Sequence, residues 1–185
     1  LEEEVATLIL DHEKFTVETL PLDHRVYTNG YLFREKVGKR KINSAAVANY
    51  GVDVADMENL KQGKDIQLPN GDWVENRLLT FDPAPPKSYA FCSDTAFKPD
   101  LAELVQGVSC LYHEATFLDT HQDLAVKTKH STAEEAAQIA AKAEVGQLIL
   151  GHFSSRYPDL NAFIEQAQHH FQNVHLAEDG KGFEL

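Results

Sequence analysis

The chain has 185 residues, 43% of them hydrophobic, enough to bury a core and to form one domain or a large piece of one. Its formal net charge of -12 runs against a generally basic nucleic-acid-binding surface, so any contact with a polyanion has to be made by local cations. Two cysteines, no apolar run near the roughly 18 residues of a membrane span, and a start (Leu1-Glu2-Glu3-Glu4) without the basic and apolar regions of a secretion signal point away from disulfide scaffolds, membrane spans and export, and towards a cytoplasmic chain.

In chain order, Val5 to Leu10 and Phe15 to Leu20 flank Asp11-His12-Glu13-Lys14 and predict a β-hairpin. The second strand breaks at Pro21-Leu22-Asp23-His24-Arg25 before a further strand around Gly30-Tyr31-Leu32-Phe33. His24 at that break fits either a loop histidine on the surface or a metal ligand. The stretch from Glu35 to Pro86 is the least regular. It opens with Lys36, Lys39, Arg40 and Lys41, continues through helical candidates at Ser44 to Tyr50 and Asp53 to Leu60, turns at Asn70-Gly71, and closes in the extended connector Asp82-Pro83-Ala84-Pro85-Pro86. The cations are the best candidates for phosphate contact, although Asp53, Asp56, Glu58 and Asp65 lie nearby to offset them.

From Ser88 onward strands and helices alternate. Ser88 to Cys92 reads as a buried strand ending at Ser93-Asp94-Thr95, where Asp94 suits an N-cap for a helix over Phe97 to Val105 or a metal ligand. Val108 to Tyr112 is a second strand, ending at His113-Glu114-Ala115-Thr116. Asp119 to Lys129 shows no periodicity and predicts a polar loop carrying His130 flexibly over a cleft. Ser131-Thr132-Ala133-Glu134-Glu135 then offers a capping box to a helix with Ala133, Ala136, Ala137 and Ala140 on one face. Gln147 to Gly151 is a third strand, delivering His152 into a loop whose Ser154, Ser155 and Arg156 suit phosphate oxygens; Arg156 could equally pair with Asp159. A helix over Asp159 to Phe171, a strand holding His175 and a short last strand after Gly180-Lys181-Gly182 complete an α/β layered domain.

These blocks (His24 before Gly30-Tyr31, Ser93-Asp94-Thr95, His113-Glu114-Ala115-Thr116, His130-Ser131-Thr132 and Gly151-His152), in this order and at this spacing, resemble ribonuclease Z, the tRNA 3′-processing endonuclease of the metallo-β-lactamase fold. The resemblance covers nearly the whole chain but only the C-terminal part of that family's catalytic unit. It implies an αβ/βα sandwich of which residues 1–185 form the C-terminal half, with a mixed sheet, flanking helices and residues 35–86 as an inserted substrate-binding arm. It also implies zinc ligands at His24, Asp94 and His152, a general acid at His130 oriented by Glu114, and RNA contacts from Lys39, Arg40, Lys41, Ser154, Ser155 and Arg156. The implied partners are precursor tRNA and, for the full-length protein, a second copy in a homodimer. That family binds two zinc ions with the help of a His-x-His-x-Asp-His block that this chain does not contain, so the expectation is weak zinc binding and no cleavage by this chain alone. A phosphodiesterase of the same fold acting on small substrates, or a non-catalytic RNA-binding or assembly module, are the competing expectations.

Overall fold

In the computed structural model, which describes residues 5–185, the chain divides into two compact units, one made of the chain up to Glu35 and from Lys87 onward, the other of Lys36–Pro86. The start at Leu1-Glu2-Glu3-Glu4 lies outside the described residues. The first unit opens with the expected hairpin, β1 (Leu8–Asp11) against β2 (Phe15–Pro21), and β2 pairs antiparallel in turn with β3 (Asn29–Glu35).

The second unit holds the two-stranded pair β4 (Lys41–Ile42) with β7 (Thr80–Phe81) and the pair β5 (Ile66–Gln67) with β6 (Trp73–Val74). Helices α1 (Ser44–Tyr50), α2 (Met57–Lys61) and α3 (Asn76–Leu79) close a small core of Val47, Leu60, Ile66, Val74 and Leu79. Local chemistry sets these ends. The Asn43 side chain accepts from Ala46 N to start α1, Gly51 ends it at φ 62°, and Asp53 caps the 3-10 turn that leads into α2. Buried Asn76 donates to the Leu60 and Lys64 carbonyls, tying the start of α3 to the end of α2 and the turn after it.

Back in the first unit, β8 (Ser88–Cys92) pairs antiparallel with β3, and then β9 (Cys110–Glu114), β10 (Leu148–Gly151) and β11 (Val174–Leu176) add in parallel, giving a seven-stranded mixed sheet in the order β1-β2-β3-β8-β9-β10-β11. Among its described residues this unit carries the helices α4 (Leu101–Leu104), α5 (Gln122–Thr128), α6 (Ala133–Lys142) and α7 (Asn161–Ala167). Leu20, Leu32, Ala90, Leu111, Leu148 and Leu150 share one core with the buried alanines of α6 and with Phe163 of α7. Small side chains on α6 let its backbone approach the sheet closely, and its capping box forms as expected, Thr132 accepting from Glu135 N while the Glu135 carboxylate accepts from Thr132 N. Across the sheet, Tyr31, Phe33 and Phe91 remain partly exposed, and Phe91 stacks on Tyr112 with ring centroids 4.7 Å apart.

Several expected boundaries move. Strand β9 starts at Cys110 rather than Val108 because Ser88 and Ser109 bond each other's backbone N–H through their hydroxyls, displacing ladder bonds there. The helix expected over Phe97 to Val105 contracts to the single turn α4, and α7 is shorter than Asp159 to Phe171 at both ends. Asp119 to Lys129 is not a flexible loop. A 3-10 turn at Asp119–His121 runs into α5, which ends on Lys129 in the left-handed region (φ 58°), and His130 N donates to the Ala125 carbonyl at 3.0 Å. Its only buried residue is Ala125, so no apolar period marks it in the sequence. The residues after Gly180 form no strand; they are held by a Gln147 side-chain bond to the Glu184 carbonyl and by Phe183 near His175.

Candidate metal and catalytic centre

Strands β8, β9 and β10 run parallel, and β2 shares their direction because β3 pairs antiparallel with both β2 and β8. Their C-terminal ends therefore emerge along one edge of the sheet, the usual location of ligand sites in open α/β sheets. His24 follows β2, Asp94 follows β8, Glu114 ends β9 and His152 follows β10. His130 arrives at the same edge from the turn between α5 and α6.

The result is a cluster in which ligand atoms of Asp94, Glu114, His130 and His152 all lie within 4.8 Å of one another. The His130 ring is 5.0 Å from that of His24 and 5.2 Å from that of His152, centroid to centroid. His24 thus borders the cluster, on the side of His130, without joining it. Asp94 and His152 both occupy the left-handed region, at φ 59° and 61°. That conformation costs a side-chain-bearing residue on the order of 1 kcal/mol or more, and such outliers gather where a site over-determines its geometry. Asp94 therefore does not cap a helix: α4 begins seven residues on, after Asp100.

Glu114 is fully buried, yet it is surrounded by donors. Its Oε1 accepts from Thr95 N at 2.9 Å and from His130 Nδ1 at 2.6 Å; its Oε2 accepts from Thr116 Oγ1 at 2.7 Å, Thr116 N at 3.1 Å and Ser131 N at 3.2 Å. A carboxylate is the one side chain with acceptors on both atoms for so many donors. It fixes the orientation of His130, whose side chain is only 12% exposed. Thr95, also fully buried, ties three segments together. Its hydroxyl accepts from Asp23 N at 3.1 Å, beside His24, and its carbonyl accepts from the Ser131 hydroxyl at 2.8 Å. The His24 ring has its Nδ1 2.8 Å from the Lys129 carbonyl, and Lys129 Nζ pairs with Asp23 at 2.5 Å.

The donor set fits a divalent cation. His152 Nε2 stands 3.0 Å from Asp94 Oδ1, yet that oxygen, buried from solvent, has no hydrogen-bond donor in good alignment. Two ligands each about 2.0–2.1 Å from one tetrahedral ion sit about 3.3 Å apart, so a close, unaligned nitrogen–oxygen pair is what shared coordination produces. The His24 contact to a backbone carbonyl is the outer-shell bond that commonly fixes a ligating imidazole.

The remaining expected site residues are placed differently. Lys39 is paired with Glu58, and Arg40 with Asp82 and, at 2.7 Å, with the Thr80 hydroxyl, so both are engaged within their own unit; Lys41 is exposed on β4. Ser154 N donates to the Thr116 carbonyl at 3.1 Å, which sets the His152 loop against the end of β9, while Ser155 is exposed. Arg156 makes no ion pair with Asp159 among the described residues; its guanidinium lies 5.6 Å from the Phe117 ring centroid and its Nε donates to the Ser154 hydroxyl. Thr95, Thr116 and the Lys129 carbonyl are the site groups the sequence did not single out. The threonines stand next to marked residues, but a backbone carbonyl leaves no sequence signal.

Four parallel-running strand ends bring two imidazoles and two carboxylates to one edge, a donor set that could hold a metal ion, and comparison with known proteins gives the fold class. Residues 67–153 match the model of the β-lactamase superfamily domain. The solved metallo-β-lactamase fold protein YhfI from Bacillus subtilis overlays with TM-score 0.59 at 16% identity, covering 93% of this chain and 50% of that one. The short form of human tRNase Z overlays with TM-score 0.55 at 24% identity, covering 97% and 46%. The chain has the metallo-β-lactamase fold.

In sequence its relatives are ribonuclease Z proteins. It is 40% identical to that of Porphyromonas gingivalis over 178 residues, covering 96% of this chain and 59% of the relative. Against that of Bacteroides thetaiotaomicron it is 42% identical over 173 residues (94% and 55%), and against that of Cytophaga hutchinsonii 41% over 184 residues (99% and 58%). The chain spans somewhat more than half the length of the curated relatives it matches. Among the described residues no helix is long and apolar enough to cross a membrane.

Proposed function

We propose that this chain is the C-terminal part of a zinc-dependent endoribonuclease that removes the 3′ trailer from precursor tRNA by phosphodiester hydrolysis. The observation that carries the reading is the 2.6 Å contact of His130 Nδ1 with buried Glu114, beside the Asp94–His152 pair, in a chain about 40% identical to ribonuclease Z proteins along nearly its whole length. With Nδ1 tied to the carboxylate, His130 has Nε2 left to hand a proton to the departing 3′ oxygen, and Glu114 keeps the ring from turning away. Asp94, His152 and His24 would hold the zinc, which when bound supplies Lewis-acid stabilisation of the charge that develops on phosphate. A second zinc and the base for the attacking water call on groups this chain does not carry, since no His-x-His-x-Asp-His block occurs in it. Ser154, Ser155 and Arg156, on the loop anchored to Thr116, would meet phosphate oxygens, and the unit Lys36–Pro86 would grip the RNA. The partners on this reading are precursor tRNA and a second copy of the longer protein, in the cytoplasm.

One observation favours a runner-up. Because Lys39 and Arg40 are engaged by Glu58 and Asp82, the arm offers less free positive charge than its sequence implied, which suits a same-fold phosphodiesterase acting on small diesters. The test separates both. Precursor tRNA and a small chromogenic diester are offered to the 185-residue chain and to a chain extended to the length of its relatives, each with zinc, alongside His130→Ala. The expected result is no cleavage by the short chain, and cleavage of tRNA by the extended one that is lost in His130→Ala. Turnover of tRNA by the short chain, or turnover of the diester alone by the extended one, would overturn the proposal.

A further inference from the structure

The residue that the site leaves unexplained is Thr116. It is buried, and its single hydroxyl is met by three side chains: Glu114 Oε2 at 2.7 Å, His152 Nδ1 at 2.8 Å and His130 Nδ1 at 3.3 Å. A hydroxyl has one proton to give. The Glu114 carboxylate can only accept, so the proton of the 2.7 Å contact must come from Thr116. His130 Nδ1 directs its own proton to Glu114 Oε1 at 2.6 Å, the shorter of its two contacts. The Thr116 oxygen can therefore serve His152 only as an acceptor. A neutral His152 must then carry its proton on Nδ1, which leaves Nε2 bare, and Nε2 is the atom 3.0 Å from Asp94 Oδ1. The free imidazole carries its proton on either nitrogen, and the hydrogen bond made by one determines what the other can do.

We infer that Thr116 is a positioning residue: by giving its proton to Glu114 it fixes the tautomer of His152 and so presents a lone pair to the metal, making one buried carboxylate the anchor of both the proton-donating and the metal-facing histidine. This rests on the proposed reading only in taking His152 as a ligand; the tautomer itself is a property of the metal-free chain. Bonds of this outer-shell kind are worth about 10–100-fold in metal affinity.

The experiment compares the wild-type chain with Thr116→Val, which keeps the β-branched shape and removes the hydroxyl, and with Thr116→Ser, which restores it. The imidazole nitrogen NMR spectrum of each metal-free protein reports the His152 tautomer, zinc titration reports affinity, and amide dispersion confirms that each is folded. The expected result is an Nδ1–H His152 in wild type and Thr116→Ser, a shift towards Nε2–H in Thr116→Val, and zinc binding about 10–100-fold weaker in Thr116→Val alone. An Nε2–H His152 in the wild type overturns the inference without reference to any variant. So does a Thr116→Val protein that keeps Nδ1–H, or a Thr116→Ser protein that behaves like it. A shifted tautomer with unchanged zinc binding would support the hold of Thr116 on the ring and overturn instead the reading of His152 as a ligand.

Discussion

Replacing Glu114 by Gln tests the centre at its most constrained point, because the new side chain has the same shape and only one acceptor atom. The amide NH2 must take the place of either oxygen. On the Oε2 side it would face Thr116 N and Ser131 N, two backbone donors that cannot turn away. On the Oε1 side it would face only one fixed donor, Thr95 N, since His130 can respond by moving its proton to Nε2 and accepting at Nδ1. The second arrangement costs less, so Glu114→Gln is expected to lose one bond to a charged group, worth about 1.5–3 kcal/mol, and to switch the tautomer of His130. A loss of about 2 kcal/mol is roughly a thirty-fold drop in the folding equilibrium and is readily seen in urea unfolding. The imidazole nitrogen spectrum should show His130 changing from Nδ1–H to Nε2–H. In a chain extended to the length of its relatives, cleavage should fall although His130 is still present. A variant as stable as the wild type, with His130 still Nδ1–H, would refute the picture of a saturated carboxylate orienting the histidine.

Two further outcomes follow from buried groups. His113 is fully enclosed, and burial pushes its imidazole below the ordinary 6.5 in spite of the 2.7 Å contact from its Nδ1 to the Glu114 carbonyl. The unfolded chain therefore holds more protons than the folded one just below pH 6.5, so this contribution to stability is present above that pH and is lost as pH falls, at up to about 1.4 kcal/mol per unit. Urea unfolding between pH 8 and pH 5 should show that decline, and His113→Gln should flatten it; equal slopes in the two proteins would rule it out. Gly151 lies directly under the Tyr112 phenol, where an added Cβ would collide with the ring. Gly151→Ala is expected to destabilise by about 1–3 kcal/mol through overpacking, and Tyr112→Leu in the same chain to recover much of that loss in a double-mutant cycle; simple additivity of the two changes would show that the ring is not the obstacle.

Much of the fold can be read from local chemistry. Asn43 and Gly51 bound α1, the Thr132–Glu135 box starts α6, and the period of Ala133, Ala136, Ala137 and Ala140 marks the face that meets the sheet. Each of these signals lies within a turn or two of the residue it controls, which is why a single sequence carries them. His24, Asp94, Glu114 and His152 were legible as candidates for the same reason, each standing where an apolar run stops, whereas His130 was marked by the capping box just after it. What the sequence by itself did not contain is how the groups face one another. Two basic residues of the arm turned out to be held by Glu58 and Asp82, one of them 42 positions away, and the segment before His130 proved helical on a single buried alanine. Thr95 reaches the His24 segment across 72 positions, and Thr116 reaches His152 across 36. Such contacts depend on parallel register between strands far apart in the chain, a property of the assembled sheet that no local pattern encodes, and they decide which atom of each histidine is free to act.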